Sequence, residues 1–237
     1  NKWQKAARLG MVAITKTEAA ILNEKNTFAF TGYVGAVFPL VAQNKRNITL
    51  LIPTTQDQKA VIKKGIIHRN SATVMPLLAT KKNMAMLFKT LKNRPYGWGG
   101  SYFLNDCSQE LKNLFAPLGL WLPRNSSEQS EVGKKLDLSG KGLEERLMLL
   151  RKNGKPLLTL IHLKGHIMLY LGVQKSGPFK NELMTYQNLW GLSPISRDKR
   201  YIIGQSLFFP LLKSYPEARD ASSLADKKTF ELIFLDQ

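Results

Sequence analysis

Residues 106–115 read DCSQELKNLF, and residues 154–172 read GKPLLTLIHLKGHIMLYLG. In the first stretch Leu111, Leu114 and Phe115 share one face at helical spacing. Asp106 and Ser108 are residue types that cap a helix start, and Pro117 and Gly119 end it. In the second stretch Leu157–His162 and His166–Val173 are strand-like runs joined by Leu163-Lys164-Gly165. More strands are expected at Glu182–Tyr186, Tyr201–Gly204 and Thr229–Leu235. A second helix is expected at Gly142–Lys152, stopped by Asn153-Gly154 and Pro156. A helix followed by a meander of strands predicts an α+β domain, with the Cys107 helix packed on an antiparallel sheet.

Upstream the pattern changes. Met11–Thr15, Thr27–Phe30, Val34–Leu40 and Asn47–Pro53 are rich in β-branched and aromatic residues, with Gly32, Gly35, Pro39 and Pro53 where turns or bulges belong. This spacing predicts a small β-barrel. Lys81–Leu91 then sets Met84, Leu87, Phe88 and Leu91 at helical spacing, with Pro95 as the stop. Two domains are expected, residues 1–80 and 81–237. The apolar runs Ile48–Pro53 and Ile167–Val173 are far shorter than the roughly 18 residues of a membrane helix, so no transmembrane segment is expected.

The chain carries 35 Lys/Arg against 17 Asp/Glu, a net charge of +18. Residues 1–90 hold 14 of the cations and 3 of the anions, so the excess is densest there. Such charge predicts an anionic partner: nucleic acid, lipid or a wall polymer. No nucleic-acid motif and no basic stripe interleaved with aromatics is present, which disfavours nucleic acid; an anionic wall surface accounts for the charge at least as well, and charge alone does not choose between it and lipid. The single cysteine, Cys107, excludes an internal disulfide and a cysteine-rich zinc site; no metal or cofactor is expected. A chain that starts at Asn1 implies a processed or truncated amino terminus.

Cys107 falls in the first turn of its helix, behind Pro95-Tyr96-Gly97-Trp98-Gly99-Gly100. The partial positive charge and free N–H groups of a helix start favour a thiolate, the nucleophilic form. The competing reading is a buried structural cysteine. A nucleophile needs a base. His68 lies in the basic amino-terminal part, and His162 closes the run LLTLIH. His166 follows Gly165 and opens HIMLYLGV, so it is expected at a strand end facing a cleft, and His162 ranks behind it. Gln187 or Asn188 offers a carbonyl oxygen to orient the imidazole, unless both are turn residues. The loop Leu122–Gln129 supplies Arg124 and several hydroxyls, and opens a short helix at Ser126 or Ser127.

Taken in order, PYGWGG (95–100), DCS (106–108), FAPLGLWLPRNSSEQ (115–129), GKPLLTLIHLKGHIMLYLG (154–172), YQNLWG (186–191) and RYIIGQSL (200–207) resemble the NlpC/P60 family of papain-like cell-wall endopeptidases over residues 93–215. MVAIT, FAFTGYVGAVFPLV and ITLLIP look like the bacterial SH3-type module that precedes this domain in one subfamily. The resemblance implies a monomeric cysteine peptidase, periplasmic or secreted. It would hydrolyse peptidoglycan stem peptides at the bond from γ-D-glutamate to meso-diaminopimelate or lysine. Carried over, Cys107 is the nucleophile, His166 the base and Gln187 the third member, where relatives often have a second histidine. Glutamine can orient an imidazole but cannot take a proton. Asp106, Ser108 and Ser126 match positions that hold a substrate's free amino end. Tyr96 matches an active-site tyrosine, and the Cys107 N–H an oxyanion donor. Arg124 either faces a substrate carboxylate or is structural. Close relatives carry two SH3-type modules and this chain has room for one, so it is a fragment or has a more open cleft that admits wall-attached peptides. Two other functions compete: a wall-binding protein with a decayed centre, and a Cys–His acyltransferase.

Overall fold

The computed structural model describes residues 2–196 and 199–236, which form two compact units. The first comprises residues up to Leu91 together with Lys112–Trp121. A short helix α1 (Lys2–Ala7) leads into strands β1 (Met11–Ile14), β2 (Ala19–Leu22), β3 (Phe28–Gly32), β4 (Val37–Gln43), β5 (Asn47–Gln56), β6 (Lys59–His68) and β7 (Ala72–Val74), and helix α2 (Lys81–Leu91) follows. The strands form one antiparallel sheet in the order β3-β2-β6-β5-β4-β1-β7. Val12, Ile14, Ile21, Ile48, Leu50, Ile52 and Ile67 converge on one core, all at 2% exposure or less. One core fed by β1, β2, β5 and β6 requires the sheet to curl on itself, as an SH3-like fold does. The sequence pattern missed β2, β6 and β7. In β6, Lys59, Lys63 and Lys64 are exposed while Gly65 and Ile67 are buried, so the lysines mask a half-buried strand. In α2, Met84, Leu87 and Leu91 are buried as the spacing predicts.

The second unit, Lys92–Leu111 with the residues from Leu122 onward, carries α3 (Cys107–Phe115, whose last turn belongs to the first unit), α4 (Ser126–Gln129) and α5 (Leu143–Asn153). Its sheet is antiparallel in the order β12-β11-β10-β9-β13-β8. The strands are β8 (Lys134–Asp137), β9 (Thr159–Leu163), β10 (His166–Val173), β11 (Leu183–Leu192), β12 (Tyr201–Pro210) and β13 (Glu231–Phe234). The fold is therefore α+β. Leu150 of α5, Ile161, Met168, Tyr170, Phe230 and Leu232 pack in one cluster, so α5 covers one sheet face.

Two strands are longer than expected. β12 runs six residues past Gly204, which takes a φ of 66° inside the strand instead of ending it. β11 continues past Tyr186 to Leu192, so Gln187 and Asn188 are strand residues with 0% exposure and not turn polars. Leu163 pairs with His166, leaving Lys164-Gly165 as a two-residue hairpin turn in which Gly165 takes a φ of 79°. The approach to α3 is tied to β12: Tyr96 N–H donates to the Gly204 carbonyl at 2.8 Å, and the Ser206 N–H to the Arg94 carbonyl at 3.0 Å. A Cβ on Gly97 would stand 2.5 Å from Leu104 Cβ, so only glycine lets this segment turn back on itself.

Candidate active site

Asp106 is the N-cap of α3, its Oδ1 accepting from the Gln109 N–H at 2.9 Å. That cap places Cys107 at the first helical position, 5% exposed. Its sulfur accepts hydrogen bonds from the Ile167 and Ser108 N–H groups and from the Tyr96 hydroxyl. Ile167 follows His166 on β10, so the sulfur lies against the start of the strand that carries the imidazole. The Tyr96 oxygen in turn accepts from the Cys107 N–H, the expected oxyanion donor. Burial outweighs these bonds and pushes the Cys107 thiol above its ordinary range, with the Asp106 charge adding to the rise. The helix start alone had argued for a thiolate; desolvation reverses that.

His166 Nε2 and Gln187 Oε1 are 2.6 Å apart. The direction of this bond follows from what lies behind it. Gln187 Nε2 donates to Thr185 Oγ1 at 2.9 Å, and that hydroxyl donates to the Phe209 carbonyl at 2.8 Å. A carbonyl only accepts, so the Thr185 proton is committed to it and the Thr185 oxygen must receive from the Gln187 amide. The Gln187 oxygen therefore faces the imidazole, Nε2 carries the proton, and Nδ1 keeps the lone pair. Burial lowers the His166 pKa to about 4, with the Gln187 bond opposing the shift, so the ring is neutral above that pH. Thr185 was not singled out in the sequence; only the β11–β12 register, which pairs Thr185 with Phe209, exposes its part.

Asp106 also faces Arg124, whose Nη1 and Nη2 donate to Oδ1 at 3.0 Å and Oδ2 at 2.7 Å. Nη1 reaches Ser108 Oγ at 3.0 Å as well. Burial would raise the Asp106 carboxyl, but Arg124 and the Gln109 N–H hold it below the usual range. Asp106, Ser108 and Arg124 thus form one cluster. Ser126 opens α4, and Gln129 at its end ties it back by donating to the Ser108 and Pro123 carbonyls at 2.9 and 2.8 Å. A second network anchors α3 from within. Glu110, with 0% exposure, accepts from Asn105 Nδ2 at 2.6 Å and from the Tyr186 hydroxyl, while Asn188 Nδ2 donates to the Asn105 carbonyl at 2.7 Å. These bonds clamp the residues just before Cys107 to the strand that carries Gln187. His162, by contrast, pairs through Nδ1 with Glu231 Oε2 at 2.6 Å. His68 is exposed, and its Nδ1 accepts from the Asn70 N–H.

A cleft of about 870 Å³ opens beside His166. Tyr96, Trp98 and Trp190 line it as a mutually edge-on trio, with ring centroids 5.1–5.8 Å apart. Among the described residues no group of three or more His, Cys, Asp or Glu side chains is arranged to hold a metal ion, and no helix is long and apolar enough to cross a membrane.

A buried cysteine at a helix start, an imidazole at a strand end and an amide behind the imidazole are the parts that a papain-like Cys–His hydrolase would use. Residues 93–179 match the NlpC/P60 family, and residues 1–45 match the SH3 domain of SH3b2 type. The chain carries an NlpC/P60 domain behind an SH3b-type module. It is 25% identical to an NlpC/P60 endopeptidase from Photobacterium damselae subsp. piscicida, with a TM-score of 0.77 over 100% of this chain and 55% of that one. An NlpC/P60 family protein from Bacillus cereus ATCC 10987 is 17% identical, with a TM-score of 0.58 over 94% of this chain and 64% of that one. The chain thus spans less than two thirds of the length of either. No curated protein matches it.

The raised thiol and the imidazole lowered to about 4 make the pair neutral at pH 7. Alkylation of Cys107 by iodoacetamide should accordingly climb about tenfold per pH unit from pH 6 to 8, following the thiolate fraction. A fast rate that stays flat across that range would reveal a thiolate–imidazolium pair instead. The proton chain behind His166 makes a separate prediction. In Thr185→Val the Gln187 amide loses the acceptor that fixes its direction. The Nδ1 lone pair is then no longer enforced, and kcat for the native reaction should fall roughly 10- to 100-fold with KM little changed. Thr185→Ser should retain activity; an equally impaired Ser variant would make the role one of shape.

Proposed function

We propose that this protein is a cysteine endopeptidase of bacterial peptidoglycan stem peptides, acting on the bond from γ-D-glutamate to the diamino acid. The observation that carries the reading is the chain Phe209–Thr185–Gln187–His166, which leaves an imidazole lone pair on the strand that touches the Cys107 sulfur. His166 Nδ1 takes the Cys107 proton as the sulfur bonds to the γ-glutamyl carbonyl carbon, and the Cys107 N–H receives the oxyanion in place of the Tyr96 hydroxyl. The imidazolium then gives its proton to the departing amine as the C–N bond breaks, leaving a thioester. Water attacks the thioester, His166 takes the water's proton, and the thiolate recovers it on leaving. Residues 81–237 do this chemistry. Residues 1–80 hold the enzyme on the anionic wall surface, which puts its site of action in the periplasm or outside the cell. The burial of Cys107 favours a second reading, a wall-binding protein with a weak centre.

Both readings meet in one assay. With L-Ala-γ-D-Glu-meso-diaminopimelate attached to glycan, Cys107→Ala and His166→Ala should abolish cleavage in folded protein, while Gln187→Ala keeps part of it. Wild-type protein that releases no peptide, with its fold verified, supports the binding protein.

Arg124 refines the substrate. An arriving ammonium would meet an Asp106 carboxylate already held by a two-point guanidinium pair. The arrangement therefore suits stem peptides whose amino end is still acylated by the glycan. Arg124→Ala should raise kcat/KM for the free-amino tripeptide relative to the glycan-linked peptide about tenfold, the worth of one charge-assisted hydrogen bond. An unchanged ratio would return Arg124 to a purely structural role.

A further inference from the structure

The cleft beside His166 has a charge bias that the peptidase reading leaves unused. Lys164, Lys199, Arg200, Lys227 and Lys228 line it, against the single carboxylate of Asp226. Lys199 is already paired with Asp220 at 3.1 Å. Lys164 and Lys228 form no ion pair among the described residues. They reach the cleft from two unrelated segments, and both segments are held. Lys164 occupies the two-residue turn that ends at His166, so its backbone is fixed by the Leu163–His166 pair. Lys227 and Lys228 follow a loop gripped by Arg146, a buried guanidinium 5% exposed. Arg146 donates to the Ala225 and Lys227 carbonyls at 2.8 and 2.7 Å, and to the Leu138 and Ser139 carbonyls at 3.0 and 2.6 Å. A buried arginine spent on four carbonyls is a device for holding two loops in register. One of those loops presents cations to the cleft.

Which half of a substrate enters here follows from proton transfer. The general acid must reach the departing nitrogen, so the leaving fragment lies on the imidazole side of the sulfur. His166 lines the cleft, while Cys107 is not among its lining residues. A cleft lined by an excess of cations concentrates anions and repels cations. We infer that this cleft is a carboxylate-binding subsite for the leaving half of the substrate, with Lys164, Lys227 and Lys228 as its specificity-determining residues. The inference rests on the proposed peptidase activity. The ligand class is a peptide fragment with free carboxylates, its aliphatic part lying against the Trp98 and Trp190 rings. A fragment with a neutralised carboxylate or an added cation fits less well.

The test is a matched pair of glycan-linked stem peptides that differ only in a carboxylate or a carboxamide on the leaving half. Wild-type kcat/KM should favour the acid at least tenfold at low salt, and the ratio should shrink as ionic strength rises. In Lys164→Gln/Lys228→Gln, both changes at exposed positions, the acid should be cleaved no faster than the amide. Equal rates for acid and amide in the wild type would overturn the subsite. Equal rates combined with competitive inhibition by a polyglycerol phosphate would reassign the cleft to a phosphate-bearing wall polymer. Cleavage of neither peptide, with Cys107→Ala as the blank, would count against the peptidase reading itself and not against the subsite alone.

Discussion

The site depends on one group that can only accept. The Phe209 carbonyl takes the Thr185 hydroxyl proton, and from that bond each orientation follows in turn. The Thr185 oxygen must receive, so the Gln187 amide turns its nitrogen inward. Its oxygen then meets Nε2 of His166, and the imidazole keeps Nδ1 bare. A histidine in the third position would need no such backing, because an imidazole donates or accepts by changing tautomer. A glutamine has two different ends, and flipping it would present an N–H to Nε2 and move the ring's proton to Nδ1. The mainchain of a neighbouring strand removes that choice. It does so where Thr185 and Gln187 are both buried, at 0% exposure.

Burial also sets the state of the pair. Burial holds the thiol above its ordinary range and the imidazole down at about 4, so transfer between them in the free protein is strongly uphill. Helix-start charge and three hydrogen bonds to the sulfur do not close that gap. On the proposed reading the substrate carbonyl closes it: forming the S–C bond as the proton moves would replace a buried thiolate with an oxyanion at the helix start. Such a centre rests as a weak nucleophile. On the proposed reading it reacts when a substrate displaces the Tyr96 hydroxyl from the Cys107 N–H, which would tie reactivity to occupancy.

The sequence carried the parts whose signal is local. The helix face of Leu111, Leu114 and Phe115, the Asp106 cap and the glycine before His166 each lie within a few residues of what they control, and the structure has each in place. His162 and His166 look alike as strand-end histidines. Glu231, distant in sequence and adjacent only through the β9–β13 pairing, engages His162 through its Nδ1. Partners reached across the fold left no local trace. Arg124 against Asp106, Thr185 behind Gln187, and Glu110 beneath Tyr186 each need a register or a loop return to become neighbours. Strands β6 and β8 were hidden for a different reason. Their lysines face solvent, so each reads as loop; in β8, at the end of its sheet, the charges also protect an exposed edge from pairing with another chain.

The basic charge works on two scales. In residues 1–90 the 14 cations include exposed Lys59, Lys63 and Lys64 of β6, and their field decays within the roughly 8 Å Debye length of physiological salt. Charge of that kind attracts a polyanionic surface without selecting among its chemical groups. The cations of the cleft are fewer, but they line one bounded volume together with Trp98 and Trp190. Net charge alone cannot separate these roles, because a lysine counts the same in either place. Their positions do: β6 belongs to the SH3-like unit, whereas Lys164 and Lys228 are held by a hairpin turn and an arginine-pinned loop beside the imidazole. On the proposed reading, removing the first set would loosen attachment to the wall and removing the second would change which peptide is cut.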